Sequence, residues 1–125
     1  MSPMDSEEMK MIYVATTKPS GSPHIVPVFS IFFDGKVYFE TDRNSVKVKN
    51  ILKNNNVVAV TPGGYGNRTV VIEGKARIIS DEEVTDHIVA GLFGTKHPWR
   101  PRFGKESAYV LVEITPKKIM KVCAR

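Results

Sequence analysis

What most constrains this chain is the placing of its turn residues. Lys18-Pro19-Ser20-Gly21-Ser22-Pro23 separates two runs rich in β-branched and aromatic residues, 11–17 and 24–33, and Asp34-Gly35 separates the second run from a third, 36–41. Prolines and glycines serve a turn far better than a strand interior or a helix. Asp-Gly between apolar residues is the strongest short hairpin signal, because both residues tolerate positive φ. Three antiparallel strands are therefore expected before residue 42.

Further along, 57–61 reads as a strand closed by Pro62-Gly63-Gly64-Tyr65-Gly66, and 68–80 as a long strand. Gly74 in its middle predicts a bulge or a barrel-corner bend. Residues 109–115 and 118–122 read as a last hairpin around Pro116-Lys117. Two stretches change to helical period. In 44–54, Val48, Ile51 and Leu52 share one face, while Lys47, Asn50 and Lys53 or Asn54 point elsewhere, and Asn44 or Ser45 is available as the cap. From about 81 to 93, the capping-box pattern Ser80-Asp81-Glu82-Glu83 precedes Val84, Ile88, Leu92 and Phe93. Five to seven antiparallel strands with two short flanking helices predict a closed small barrel, mainly β with some α.

The 125 residues make one domain, long enough for a core and too short for two. With 42% hydrophobic and 25% charged residues the composition is that of an ordinary globular chain, which excludes disorder and fibrous repeats. No apolar run approaches a membrane span, and the acidic opening MSPMDSEEM does not read as a signal peptide, so a cytoplasmic protein is expected. Chemistry carried by side chains alone finds little support. The single cysteine, Cys123, reads as a packing residue; His24, His87 and His97 lie in three different elements with no two at metal-ligand spacing; no G-x-S-x-G elbow singles out a serine. The sequon Asn67-Arg68-Thr69 has no reader without secretion.

The informative stretch is 38–51, YFETDRNSVKVKNI. A strand ends at Thr41, a polar turn follows, and a helix begins with Ser45 and Lys47 in its first turn. Unpaired N–H groups at the helix start, a serine hydroxyl and a lysine ammonium can converge on one phosphate. The plainer alternative is a solvated helix that Ser45 merely caps.

Several features stand together and in order: Ala15-Thr16 before the glycine turn, Pro23-His24-x-Val26-Pro27-Val28, the Asp-Gly hairpin, Tyr38-Phe39-x-Thr41, Ser45-x-Lys47, Asn50-Ile51, and Val71-Ile72-Glu73-Gly74-x-Ala76-Arg77. In this combination the chain resembles the FMN-binding split-barrel family related to pyridoxamine 5'-phosphate oxidase, over about residues 12–80 and, in outline, the terminal strands. The resemblance implies a six-stranded antiparallel Greek-key split β-barrel that forms a homodimer, with one FMN per subunit at the interface. It implies further that the strand from His24 through Ile25, Val26, Pro27 and Val28 runs along the flavin ring, that Thr41 touches the flavin, and that Lys47, with Ser45 beside it, holds the phosphate. Thr69 falls where the oxidase has a flavin-contacting glutamine. Val46 stands where the oxidase has an arginine, so one phosphate contact is expected to be missing. The oxidase's arginine-bearing C-terminal segment has no counterpart after Arg125, which argues against pyridoxamine phosphate as substrate.

The loop His97-Pro98-Trp99-Arg100-Pro101-Arg102-Phe103 combines the chain's one tryptophan with two arginines. It can cover the partner subunit's flavin, Trp99 stacking and Arg100 or Arg102 meeting an anion, or simply lie on the surface. Glu73 and Arg77 read as sheet and dimer packing residues rather than catalytic ones. The expectation is therefore a flavin-dependent oxidoreductase with FMN, its small-molecule substrate open. F420 on the same fold and a flavin carrier without turnover are the alternatives. A nucleic-acid-binding barrel, suggested by the net charge of +5, is disfavoured because the acids at 81–86 and near the N-terminus break up the basic surface.

Overall fold

The computed structural model describes residues 6–62, 69–79 and 108–122, with side chains from residue 11 onward. Six strands appear in chain order, β1 (Ser6–Thr17), β2 (Pro23–Phe33), β3 (Lys36–Asp42), β4 (Asn56–Thr61), β5 (Thr69–Ile79) and β6 (Tyr109–Val122), with one helix, α1 (Val46–Lys53), between β3 and β4. They close into an antiparallel barrel of order β1-β2-β3-β6-β5-β4. β4, β5 and β6 are consecutive neighbours and β3 lies beside β6, which is a Greek-key arrangement. The helix expected at 81–93, the 63–66 turn, Cys123 and the 97–103 loop lie outside the described residues.

The turn chemistry acts as its residues dictate. Asp34 and Gly35 take φ of 53° and 73°, and Phe33 pairs with Lys36 across them. At the other hairpin Gly21 adopts φ 92° and donates its N–H to the Lys18 carbonyl at 2.8 Å. Along each strand alternate residues enter the barrel. Ile12, Val14, Val28, Phe32, Val37, Phe39, Ile72, Ala76, Val112 and Ile114 form the core, with Ile51 of α1 packed among them.

The expected hairpin at Pro116-Lys117 does not form. β6 runs unbroken from Tyr109 to Val122, pairing with β3 through Ile114 and with β5 from Leu111 to Val122. What Pro116 marks is a bulge: Glu73 pairs with Lys118 and Gly74 with Pro116, leaving Lys117 as the extra residue. Proline's missing N–H is tolerated where the ladder is interrupted. Gly74 is required there, because a Cβ would run into the Thr115 carbonyl oxygen. The bulge expected at Gly74 and the turn expected at Pro116 are thus one feature, seen from its two strands.

The helix faces also differ from the simple reading. Val48, Asn50 and Ile51 are buried, while Leu52 is 71% exposed. At about 100° per residue, Asn50, Ile51 and Val48 share one arc, and Lys47 falls between the first two of them. The polar Asn50 and Lys47, expected to point away from the apolar face, belong to it, and Leu52 lies off it.

Candidate functional site

The barrel is split between β2 and β3. These strands pair only from Ser30–Phe39 to Phe33–Lys36. Continuing that register would set Val28 against Thr41 and Val26 against Arg43, but no such pairs form. Beyond Ser30, residues 23–29 of β2 pair with β1 alone, and residues 40–42 of β3 with β6 alone. One edge of β2 is therefore left without a strand partner among the described residues, and Pro27, which has no N–H to offer a ladder, lies in that stretch.

The end of β3 turns directly into α1 and makes a polar corner beside this opening. Asp42 accepts the Asn44 N–H at its side chain, 3.0 Å, and the Ser45 N–H at its carbonyl, 3.1 Å. Ser45 has extended dihedrals and its Oγ accepts the Val48 N–H at 3.4 Å, so it is the N-cap. The buried Thr41 hydroxyl donates to the same Oγ at 3.5 Å. The N–H groups of Val46 and Lys47 have no carbonyl four residues earlier within the helix to receive them.

Lys47 supplies the charge. Its place on the inward arc of α1 desolvates the ammonium and pushes its pKa below the ordinary 10.5, with the Asp42 carboxylate pulling weakly the other way. Among the described residues no carboxylate comes within ion-pair distance of it. A partly desolvated ammonium with no ion-pair partner among the described residues, beside helix N–H groups without an intrahelical acceptor, favours an anion.

The expected ring-side residues divide by the pleat. Val28 belongs to the core and Val26 packs against it, whereas Ile25 and Pro27 are exposed on the outer face, Ile25 at 62%. A ligand at the open edge would meet mainly β2 backbone. His24 is half-buried, and its Nδ1 is buried with no hydrogen-bond partner among the described residues. Such an atom is unusual and calls for an acceptor or donor of the kind that a ligand or water supplies. Thr41, Ser45 and Lys47 thus gather at one corner, with His24 to Val28 on the strand that diverges from it. Thr69 does not join them: it starts β5, at the opposite end of that strand from Ala76, whose N–H donates to the Asn55 carbonyl just past α1. Trp99 and Arg100 lie outside the described residues.

A cleft of about 480 Å³ opens elsewhere, along β1, β4 and β5, between Pro23, Thr17, Asn56, Glu73 and Lys117. It holds none of Thr41, Ser45 and Lys47, and its one carboxylate and one ammonium are both exposed, so it offers an anion no net attraction. The corner, with its desolvated cation, is the better candidate. Sequence reasoning missed one residue there, Asn50, whose Nδ2 donates to Thr16 Oγ1 at 3.0 Å with both side chains buried. The hints in the sequence were its apolar neighbours Val48 and Ile51 and the place of Asn50-Ile51 in the pattern that carries the family resemblance.

Residues 6–123 match the family model described as pyridoxamine 5'-phosphate oxidase. The chain belongs to that family. Solved structures support the fold at low identity. General stress protein 26 from Bacillus anthracis superposes with a TM-score of 0.65 at 22% identity, over 92% of this chain and 85% of that one. An F420 reductase superposes at 0.67 and 16% identity, over 91% of both chains. A FAD-binding protein from Mesorhizobium loti superposes at 0.62 and 17% identity, over 88% of this chain and 83% of that one. No curated protein matches the chain in sequence. The six-stranded barrel is the split barrel that the sequence resemblance implied.

Proposed function

We propose that this member of the pyridoxamine 5'-phosphate oxidase family is a flavin-dependent oxidoreductase that holds FMN in the split between β2 and β3. The observation that carries the proposal is Lys47, a half-buried ammonium at the start of α1 that has no carboxylate partner among the described residues and lies beside a strand edge that no described strand pairs with. Lys47, Ser45 and the first N–H groups of α1 take the phosphate. Thr41 stands on the part of β3 that has parted from β2, between phosphate and ring. The backbone of residues 24–28 lines the ring, and His24 Nδ1, without a partner among the described residues, offers it one polar contact. Bound flavin supplies the hydride and electron chemistry that the side chains lack. The chain's own contribution is to bind the phosphate by charge, orient the ring along a rigid strand and keep water from it.

The proposal includes a homodimer with the cofactor at the seam. Met11, Tyr13, Ile25 and Phe29 are 41–62% exposed, and the ladder sets Met11 beside Phe29, Tyr13 beside Pro27 and Ala15 beside Ile25 on one outer face. A contiguous apolar face of this kind favours association. It continues from the strand that carries the ring site, so a second subunit there would close the open side of the flavin.

F420 is the second reading, favoured by the structural likeness to an F420 reductase and by a corner that suits any phosphate. The test is the visible absorption spectrum of the purified protein, followed by titration with FMN while flavin fluorescence is recorded. A yellow protein, or saturable quenching at one flavin per chain, is the expected result. A colourless protein that ignores FMN overturns the proposal and makes F420 the next titration.

A further inference from the structure

Asn50 is the polar side chain that α1 buries, and it is buried against the strand that pairs with β2. It is 2% exposed, as is its acceptor Thr16, and the bond between them measures 3.0 Å. Apolar contact alone would hold α1 to the barrel, and Val48 and Ile51 already provide it. A directional bond adds something that apolar contact does not: one height and one rotation of the helix on the strand. A buried amide that lost its acceptor would keep its desolvation penalty, so the helix has a reason not to slide.

The two ends of this bond lead to the two halves of the site. Thr16 faces His24 across the β1–β2 ladder. Lys47 lies three residues before Asn50, one turn up the same side of α1. The bond therefore ties the strand pair carrying His24 to the helical turn carrying Ser45 and Lys47, although β3, the covalent route between them, has left β2 at Ser30.

We infer that Asn50 and Thr16 are positioning residues of the cofactor site, setting the span between the phosphate-binding turn of α1 and the ring-binding strand β2. This rests on the proposed placement of FMN, and it concerns two residues that touch neither end of the flavin. A ligand with both a phosphate and a ring should need the span; a ligand with the ring alone should not.

The experiment compares FMN with riboflavin, which lacks the phosphate, by fluorescence titration of wild type, Asn50→Leu, Thr16→Val and Thr16→Ser. Circular dichroism confirms that each is folded, and Tyr38→Phe, which weakens the fold through the Glu113 cluster, serves as the control for loss of stability alone. Wild type should prefer FMN. In Asn50→Leu and Thr16→Val that preference should shrink about tenfold, the equivalent of one hydrogen bond, with riboflavin affinity almost unchanged. Thr16→Ser keeps the hydroxyl and should keep the preference, as should Tyr38→Phe. A wild-type preference that survives both Asn50→Leu and Thr16→Val overturns the positioning role and leaves the FMN site standing. A preference lost equally in Tyr38→Phe also overturns it, since stability alone would then account for the effect. Wild type that binds FMN no better than riboflavin overturns the phosphate site and this inference together. If Asn50→Leu does not fold, Thr16→Val decides.

Discussion

Lys47 and Tyr38 show how a residue's neighbours change what it does. Burial on the inward arc of α1 lowers the Lys47 pKa from 10.5, so the ammonium is lost earlier as pH rises than an exposed lysine's would be. Because the phosphate needs the charged form, FMN affinity should start to fall with rising pH before the ordinary lysine value is reached, and titrations across the alkaline range will show it. Lys47→Ala should lose about 1.5–3 kcal/mol of FMN binding, roughly tenfold to a hundredfold, and should flatten that pH dependence. Equal affinity in mutant and wild type would remove Lys47 from the site. Tyr38 has the opposite shift. Burial first, then its hydrogen bond to Glu113 Oε2 at 2.8 Å and that carboxylate's charge, raise the phenol's pKa well above 10. The folded protein therefore holds the proton longer than the unfolded chain. Its contribution to stability is complete below pH 10 and is lost as pH climbs from there through the raised value. Glu113, 3% exposed, also receives Arg77 Nε at 3.0 Å and has the Lys36 ammonium at 3.8 Å. Tyr38→Phe leaves one carboxylate oxygen with a single distant cation and should cost about 1–3 kcal/mol in urea unfolding at neutral pH. A loss below about 0.5 kcal/mol, the smallest net value of a hydrogen bond, would mean that water replaces the phenol.

Among the elements, β6 and its bulge do most to shape the barrel. A strand of 14 residues has to serve β3 through Ile114 and β5 from Leu111 onward, and the extra residue at Lys117 absorbs the mismatch as it passes from one task to the other. The backbone of Thr115 presses against Gly74 at that point. Gly74→Ala should therefore destabilise the fold by roughly 1–3 kcal/mol, as overpacking does, although no side-chain contact is removed. Thermal unfolding measures it; an unchanged midpoint would show that the bulge can shift its register. α1 is the other decisive element. Eight residues would be marginal as a free helix, and its place comes from the Ser45 cap, the Asn50 bond to Thr16 and the burial of Val48 and Ile51.

At the scale of the whole molecule, the exposed face of β1 and β2 bears on assembly. If it is the dimer seam, Phe29→Asp should convert the protein to monomers in light scattering and weaken FMN binding at the same time. Dimers that persist, with unchanged affinity, would place the seam elsewhere. The first five strands, both hairpins before residue 42 and the bulge at Gly74 were legible in the residues, because turn residues and alternation act over a few neighbouring positions; the Greek-key arrangement of the strands came only with the family resemblance. So were Thr41, Ser45 and Lys47 as a group, since they lie within seven residues of one another along a strand end and a helix start. Local reasoning misread Pro116-Lys117, because whether a proline ends a strand or sits in its bulge depends on the residue across the ladder, Gly74, some forty positions earlier. It also turned Asn50 outward, because what makes a buried amide favourable is its acceptor, Thr16, 34 residues away in the chain. Sequence alone determined the local elements and the family resemblance. The opening between β2 and β3, the desolvation of Lys47 and the bond joining α1 to β1 were decided by tertiary structure, because each depends on which distant backbone or side chain the closed barrel brings alongside.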